Sequence, residues 1–221
     1  MEDRTAILID GGFYKKRAQT LFGLKSAENR ADELETYCSL HIQDGPRSLY
    51  RVFYYDCPPL TENIFHPLTR KNVFLGKSEI HGWANAFFKA LLGKRKFALR
   101  LGRLATIGHG FTLNPEVVKE LCSKKRTIDD LTESDFTLEA KQKGVDMRIG
   151  IDIAHLAYKR LVTQIILIAG DSDFVPAIKL ARREGIDVIL DTLGSHVADD
   201  LFTHIDGLQS HWNDTRMTSL P

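Results

Sequence analysis

No stretch of this chain supplies the roughly 18 consecutive apolar residues that a membrane-spanning helix needs. Cysteine is scarce too: Cys38, Cys57 and Cys122 are odd in number and far apart. That excludes a disulfide framework or a cysteine zinc motif and fits reduced thiols in a cytoplasmic protein. The opening Met1-Glu2-Asp3-Arg4 runs straight into an apolar segment with no features of a secretory signal, so a cytoplasmic location without membrane association is expected. Charge of one sign is also missing. Thirty Lys and Arg against 29 Asp and Glu leave a net charge of +1, which excludes wholesale polyanion binding and confines electrostatic recognition to local patches. His81, His109, His196, His204 and His211 share no ligand spacing, which argues against a histidine zinc site. Internal repeats and low-complexity tracts are absent.

What the chain does have is aspartates at the ends of apolar runs. Ile165-Ile166-Leu167-Ile168-Ala169 stops abruptly at Gly170-Asp171-Ser172-Asp173-Phe174. A run bare of charge reads as a strand buried on both faces. Ser172 or Asp173 then caps a helix from Phe174 to Glu184, with Pro176 in its first turn and Gly185 to stop it. The opening repeats the pattern, with Thr5-Ala6-Ile7-Leu8-Ile9 followed by Asp10-Gly11-Gly12. A third acid, Asp146, starts a helical pattern whose Ile149, Ile153 and Leu156 share its face, which predicts that Asp146 points to the side packed on the sheet. Open α/β sheets bind ligands at the carboxyl ends of their strands. Carboxylates crowded there repel unless a proton or a hard divalent cation lies between them.

The periodicities predict strand 5–10, helices over 13–42 with a break near Leu24, and strand 50–55 ended by Asp56-Cys57-Pro58-Pro59. A mostly helical stretch follows over 62–92, then a half-exposed strand 97–104 and a helix from Pro115 to Ser123. Residues 124–135 read as a charged loop and 136–141 as an edge strand. Helix 146–160, strand 164–169, helix 173–184 and strand 186–190 complete the order. This β-α-β-insert-α-β-α-β order predicts an α/β fold with a parallel sheet and helices on both faces. The expected organisation is one domain over 1–206, with 60–141 an elaborated lobe over the sheet's carboxyl edge and 207–221 a flexible tail.

Taken together, Ala6–Gly12, Tyr54-Tyr55-Asp56, Lys143-Gly144-Val145-Asp146 with Asp152, and Ile168–Phe174 with Gly185 resemble a NYN domain. That family lies in the PIN-like nuclease superfamily, and the likeness is strongest to its bacterial LabA/DUF88 branch. The resemblance spans residues 5 to 205 apart from 60–135. It implies a three-layer sandwich around a mostly parallel sheet and a metal-dependent ribonuclease cutting RNA, single-stranded in this reading, with Mg²⁺ or Mn²⁺. Carried over by position, the metal-binding and catalytic residues are Asp10, Asp146, Asp171 and Asp173. Many relatives carry an asparagine soon after the first aspartate; Gly12-Phe13-Tyr14 stands there in this chain. The chemistry agrees: paired metals about 4 Å apart activate water and neutralise phosphoryl oxygens, and clustered carboxylates hold them.

Between Ile80 and Pro115 there is no acid, while Lys89, Lys94, Arg95, Lys96, Arg100 and Arg103 fall within it. Lys94, Arg95, Lys96, Arg100 and Arg103 are the expected substrate contacts, in a lobe beside the acidic pocket; a solvated edge is the plain alternative. Trp83, Phe87 and Phe88 read as core rather than as base-stacking residues. Asp152 reads as a neighbour of the site or a solvated helix acid, Asp56 as the acid of an Asx turn, and Asp191 as a further strand-end acid. Two other functions compete with the nuclease. A haloacid-dehalogenase-like phosphatase needs a second aspartate where Gly12 stands, and a non-catalytic RNA-binding or assembly module needs only the fold. Homodimerisation remains open.

Overall fold

The computed structural model describes residues 3–43, 46–104, 110–139 and 142–218. In chain order the first half comprises β1 (Arg4–Asp10), α1 (Gly11–Phe22), α2 (Ala27–Gln43), β2 (Ser48–Asp56), β3 (Asn63–His66), β4 (Lys71–Phe74), α3 (Glu79–Leu92) and β5 (Phe97–Leu101). Short pieces follow: β6 (Arg103–Leu104), β7 (Gly110–Leu113), α4 (Pro115–Cys122), β8 (Phe136–Glu139) and β9 (Gln142–Lys143). The rest is α5 (Val145–Tyr158), β10 (Gln164–Ile168), α6 (Val175–Arg183), β11 (Asp187–Asp191), α7 (Asp199–Phe202), β12 (Gly207–Leu208) and α8 (Thr215–Thr218).

Six strands form one parallel sheet in the order β12-β11-β10-β1-β2-β5. From β1 the chain winds outward through β2 to β5, then returns to the other side of β1 and winds outward again. The reversal lies between β1 and β10, and a doubly wound sheet opens its ligand crevice at such a point.

Alternate residues of the central strands face opposite layers, as a period of two requires. Ala6, Leu8, Phe53, Tyr55, Ile165 and Leu167 pack with Ile149, Ile153 and Leu156 of α5 and Ile178 of α6. Ile7, Ile9, Val52, Tyr54, Ile166 and Ile168 pack with Tyr14 of α1, Leu34 and Tyr37 of α2, and Phe87 and Leu91 of α3. Burying each large aliphatic chain contributes about 1.5–3 kcal/mol, so both helical layers are anchored by the same three strands. Trp83 stacks on Phe87 with centroids 5.0 Å apart, as a core assignment requires.

Residues 62–78 depart from expectation. Instead of helix they form an antiparallel hairpin of β3 and β4 and a 3₁₀ turn, Leu75–Lys77. Ile64 and His66 turn inward while Asn63 and Phe65 turn outward, an alternation that a helix cannot use. Pro67 and Arg70, the latter at φ 55°, build the turn between the strands. The edge strand expected over 136–141 does not join the main sheet; β8 pairs with β7 in a second hairpin. Residues 140 and 141 of that expectation lie outside the described residues, as do His109 and residues 105–109 of the acid-free stretch. The segment expected as a tail beyond Asp206 is packed: β12 adds a sixth strand, and Met217 is 2% exposed. Two strand residues are too few to leave a periodic signal.

Candidate functional site

Both central strands end in an aspartate that is fixed by the turn it makes. After β1, Asp10 caps α1, its Oδ1 accepting from the amides of Gly12 (2.9 Å) and Phe13 (3.2 Å). After β10, Asp171 caps a 3₁₀ turn, Ser172–Phe174, its Oδ1 accepting from the Asp173 amide at 3.0 Å. The capping residue is therefore Asp171 rather than Ser172 or Asp173. Pro176, in the first turn of α6, has no amide to be capped, so the cap lies earlier, on the 3₁₀ turn. The other oxygen of each aspartate has no hydrogen-bond partner among the described residues. Asp10, Asp171, Phe13, Gly170, Ser172, Ser195 and His196 line one open depression at the reversal between β1 and β10.

Close packing holds that depression in shape. A Cβ on Gly170 would lie 2.6 Å from the Phe13 ring, and one on Gly11 would lie 2.6 Å from the Tyr55 carbonyl oxygen. Phe13 thus covers Gly170 from across the reversal.

Asp146 stands in the first turn of α5. Helices connecting parallel strands run antiparallel to them, so this turn lies at the carboxyl edge. Asp146 is mostly exposed rather than packed on the sheet, although its carboxyl is partly shielded from water. The carboxylates of Asp146 and Asp173 make no hydrogen bond or ion pair among the described residues. Burial pushes the Asp146 carboxyl above the ordinary aspartate range, and the Asp171 and Asp173 carboxylates push it the same way. Asp10 is also raised, by burial first and then by Asp146 and Asp56, against the amides of Phe13 and Gly12, which pull it down. Asp146 thus feels the charges of Asp171 and Asp173, and Asp10 that of Asp146, while Asp10 and Asp171 alone of the four line the depression.

Among the described residues, no three His, Cys, Asp or Glu side chains are gathered into a ready-made metal cage. The donor chemistry nevertheless fits a hard divalent ion, because every donor is a carboxylate. Magnesium in particular keeps several waters and is held through only one or two carboxylates.

Other acids at this edge have partners. Asp56 is fully buried, ion-paired to Lys15 at 2.7 Å and accepting from the Cys57 amide at 2.8 Å; the Asx turn expected there does not form, because the residue two positions on, Pro58, has no amide hydrogen to donate. Asp152 accepts from the Tyr55 hydroxyl (2.8 Å) and from Arg100 Nε (3.0 Å), tying α5 to the sheet. Asp191 is buried and accepts from Tyr37, His41, Ser210 and the Leu193 amide. His155 is exposed.

The basic residues divide between the two edges of the sheet. Lys94, Arg95 and Lys96 precede β5 and lie at the amino edge, opposite the aspartates. Lys94 is ion-paired to Asp32 and Glu35, and Lys96 donates to the Leu49 carbonyl. The expectation that these three flank the acidic pocket is therefore corrected: the strand direction carries them away from it. Arg100 lies within β5 over the Phe53 ring at 5.1 Å. Of the five expected contacts, exposed Arg103 alone follows β5 at the carboxyl edge. Sequence reasoning missed Phe13, Gly170 and His196 as lining residues; the Gly170–Phe13 contact leaves no local signal because 157 positions separate the two in sequence.

Comparison with known proteins finds a family match over part of the chain. Residues 112–206 match the NYN domain. That stretch contains Asp146, Asp171 and Asp173, while Asp10 is joined to them by the pairing of β1 with β10. An uncharacterized protein, y4oD, of Sinorhizobium fredii (strain NBRC 101917 / NGR234) is 37% identical over 60 residues, which cover 27% of this chain and 27% of that protein. The chain thus spans about a quarter of that relative's length.

Proposed function

With a NYN domain over residues 112–206 as the premise, we propose that this chain is a ribonuclease of the LabA/DUF88 branch, hydrolysing phosphodiester bonds of single-stranded RNA with Mg²⁺ or Mn²⁺ held by Asp10, Asp146, Asp171 and Asp173. One observation carries the reading. Asp10 and Asp171, at the carboxyl ends of the two central strands, each use one oxygen as a cap and leave the other without a partner beside the same depression. A structural role explains the first oxygen of each and not the second.

The chain's own residues do three things in this reaction. The amides of Gly12, Phe13 and Asp173 fix the orientation of Asp10 and Asp171 without engaging their second oxygens. The carboxylates of Asp146 and Asp173, unpaired among the described residues, would be free to turn toward a bound ion. Phe13 packed on Gly170 keeps the two strand ends in register. A divalent ion bound there supplies an activated water and charge neutralisation at the phosphoryl oxygens. The carboxylate field alone repels a polyanion, so substrate approach depends on basic and aromatic surface beyond the depression.

The test is cleavage of a fluorescent single-stranded RNA with Mn²⁺, with Mg²⁺ and with EDTA, for wild type, Asp171→Asn and Asp173→Asn, each checked for folding by circular dichroism. The expected outcome is cleavage only with metal, reduced at least about a hundredfold in either variant, the loss expected when a transition-state charge stabiliser is removed. Undiminished cleavage by folded Asp171→Asn, or in EDTA, would overturn the metal mechanism. Metal-dependent hydrolysis of a phosphomonoester in place of RNA would mark a phosphatase, and RNA binding without cleavage a non-catalytic module.

A further inference from the structure

The β3–β4 hairpin has an outer face that the core does not explain. Its inner face is buried: His66 packs between Phe111 (4.3 Å) and Phe136 (5.1 Å), and Ile64 is covered. On the outer face Phe65 and Phe74 are each 55% exposed. The register pairs Asn63 with Phe74 and Phe65 with Asn72, which makes the two phenylalanines diagonal neighbours on one surface. From Asn63 to Ser78, between the exposed Glu62 and Glu79, there is no acid; Arg70 and Lys77 are exposed, Lys71 is exposed next to the turn at a register position opposite His66 rather than on the phenylalanine face, and Lys77 lies 5.9 Å from the Phe74 ring centroid. No ion pair engages these three bases among the described residues. The hairpin's base shares a cavity with the active edge, because Leu75 and Ser78 line it together with Asp56 and Lys15.

We infer that the outer face of this hairpin is the platform on which single-stranded RNA docks, Phe65 and Phe74 stacking on successive bases while Arg70, Lys71 and Lys77 neutralise phosphates. Aromatic faces beside cations are what a flexible polyanion with planar bases recognises, and such stacking tolerates any sequence. Two exposed aromatics would suit an apolar protein partner as well, but within the hairpin itself, between Glu62 and Glu79, the charge is three bases and no acid, which complements a polyanion. The platform takes the role that Lys94 and Lys96 cannot fill from the amino edge. The inference rests on the ribonuclease reading for its substrate class, and binding is therefore measured apart from cleavage.

The experiment is fluorescence anisotropy of labelled oligouridine in EDTA across a series of salt concentrations. The proteins are wild type, Phe65→Ala/Phe74→Ala, Phe65→Leu/Phe74→Leu, Phe65→Tyr/Phe74→Tyr and Arg70→Ala/Lys71→Ala/Lys77→Ala. Both the alanine and the leucine pairs should weaken binding at least about tenfold, and the tyrosine pair should retain it, because stacking contributes roughly 1–3 kcal/mol per base. The basic triple variant should lower the salt slope by about two, at roughly 0.7 per single-strand phosphate contact. Wild-type affinity in the alanine pair overturns the platform, as does wild-type affinity in the leucine pair, which would mean that apolar area rather than stacking matters. A wild-type dimer that the alanine pair dissociates, with RNA affinity unchanged, assigns the face to a second copy and also overturns it. Cleavage by wild type with no change in the hairpin variants refutes the platform alone; hairpin-dependent binding without metal-dependent cleavage refutes the nuclease alone.

Discussion

At the scale of single residues, the aspartates at the sheet's carboxyl edge store repulsion. Asp146 is raised from 3.8 by burial and by its two acidic neighbours. Between that value and the raised folded one, the native chain binds more proton than the unfolded chain. Stability therefore falls as pH rises through that window, and the full penalty is present at neutral pH. Asp146→Asn removes the charge and breaks no hydrogen bond, so in EDTA it should melt at higher temperature than wild type at pH 7. The advantage should disappear as pH drops to about 4, near the ordinary aspartate range. A thermal denaturation series over pH checks this; an equal or lower midpoint at neutral pH would show that the acids do not strain the fold. Gly170→Ala is the steric counterpart. Its Cβ meets the Phe13 ring, and crowding of this kind costs about 1–3 kcal/mol. In a Phe13→Ala background the cost should largely vanish, a coupling that urea unfolding of the double-mutant cycle measures.

At the scale of elements, the end of β11 is joined to α2 and to the C-terminal segment through one buried carboxylate. Asp191 accepts from Tyr37 and His41 on α2 and from Ser210 beyond β12, and the Tyr37 hydroxyl in turn accepts from the His211 amide. Burial and Asp191 hold that hydroxyl protonated, well above the ordinary tyrosine range. Tyr37→Phe removes both bonds inside the protein and should cost about 1–3 kcal/mol, with faster amide exchange at His211 than in wild type. None of this was legible in the sequence, where Asp191 is one more acid at a strand end. The central strands were legible because a strand covered on both faces is an unbroken apolar run, and α1, α2, α5 and α6 were legible from spacing and breakers. The hairpin was not. Its aromatics point to solvent while its buried positions include a histidine, so the usual alternation of apolar and polar residues is absent. The positions of Asp10 and Asp171 at strand ends were readable from local pattern, but the edge on which Lys94 and Lys96 lie depends on strand direction, a property of topology alone.

At the scale of the whole molecule, the sheet has a carboxyl edge that collects acids and an amino edge that carries Lys94 and Lys96. An ion binding the folded acids but not the unfolded chain stabilises by mass action, by about 2.7 kcal/mol at a hundred times its dissociation constant. Mn²⁺ should therefore raise the melting temperature of wild type, and Asp171→Asn should lose most of that shift; a shift equal in both would place the ion elsewhere. The pairing of β1 with β10 has a different consequence, one of timing. Thr5 and Gln164 meet through a buried hydrogen bond although 159 positions separate them. Asp171 is made 161 residues after Asp10, so the depression cannot exist on a growing chain until β10 and the turn after it have left the ribosome. Under the ribonuclease reading, cleavage is thereby withheld from the nascent chain until the strand that leads into Asp171 has emerged to pair with β1.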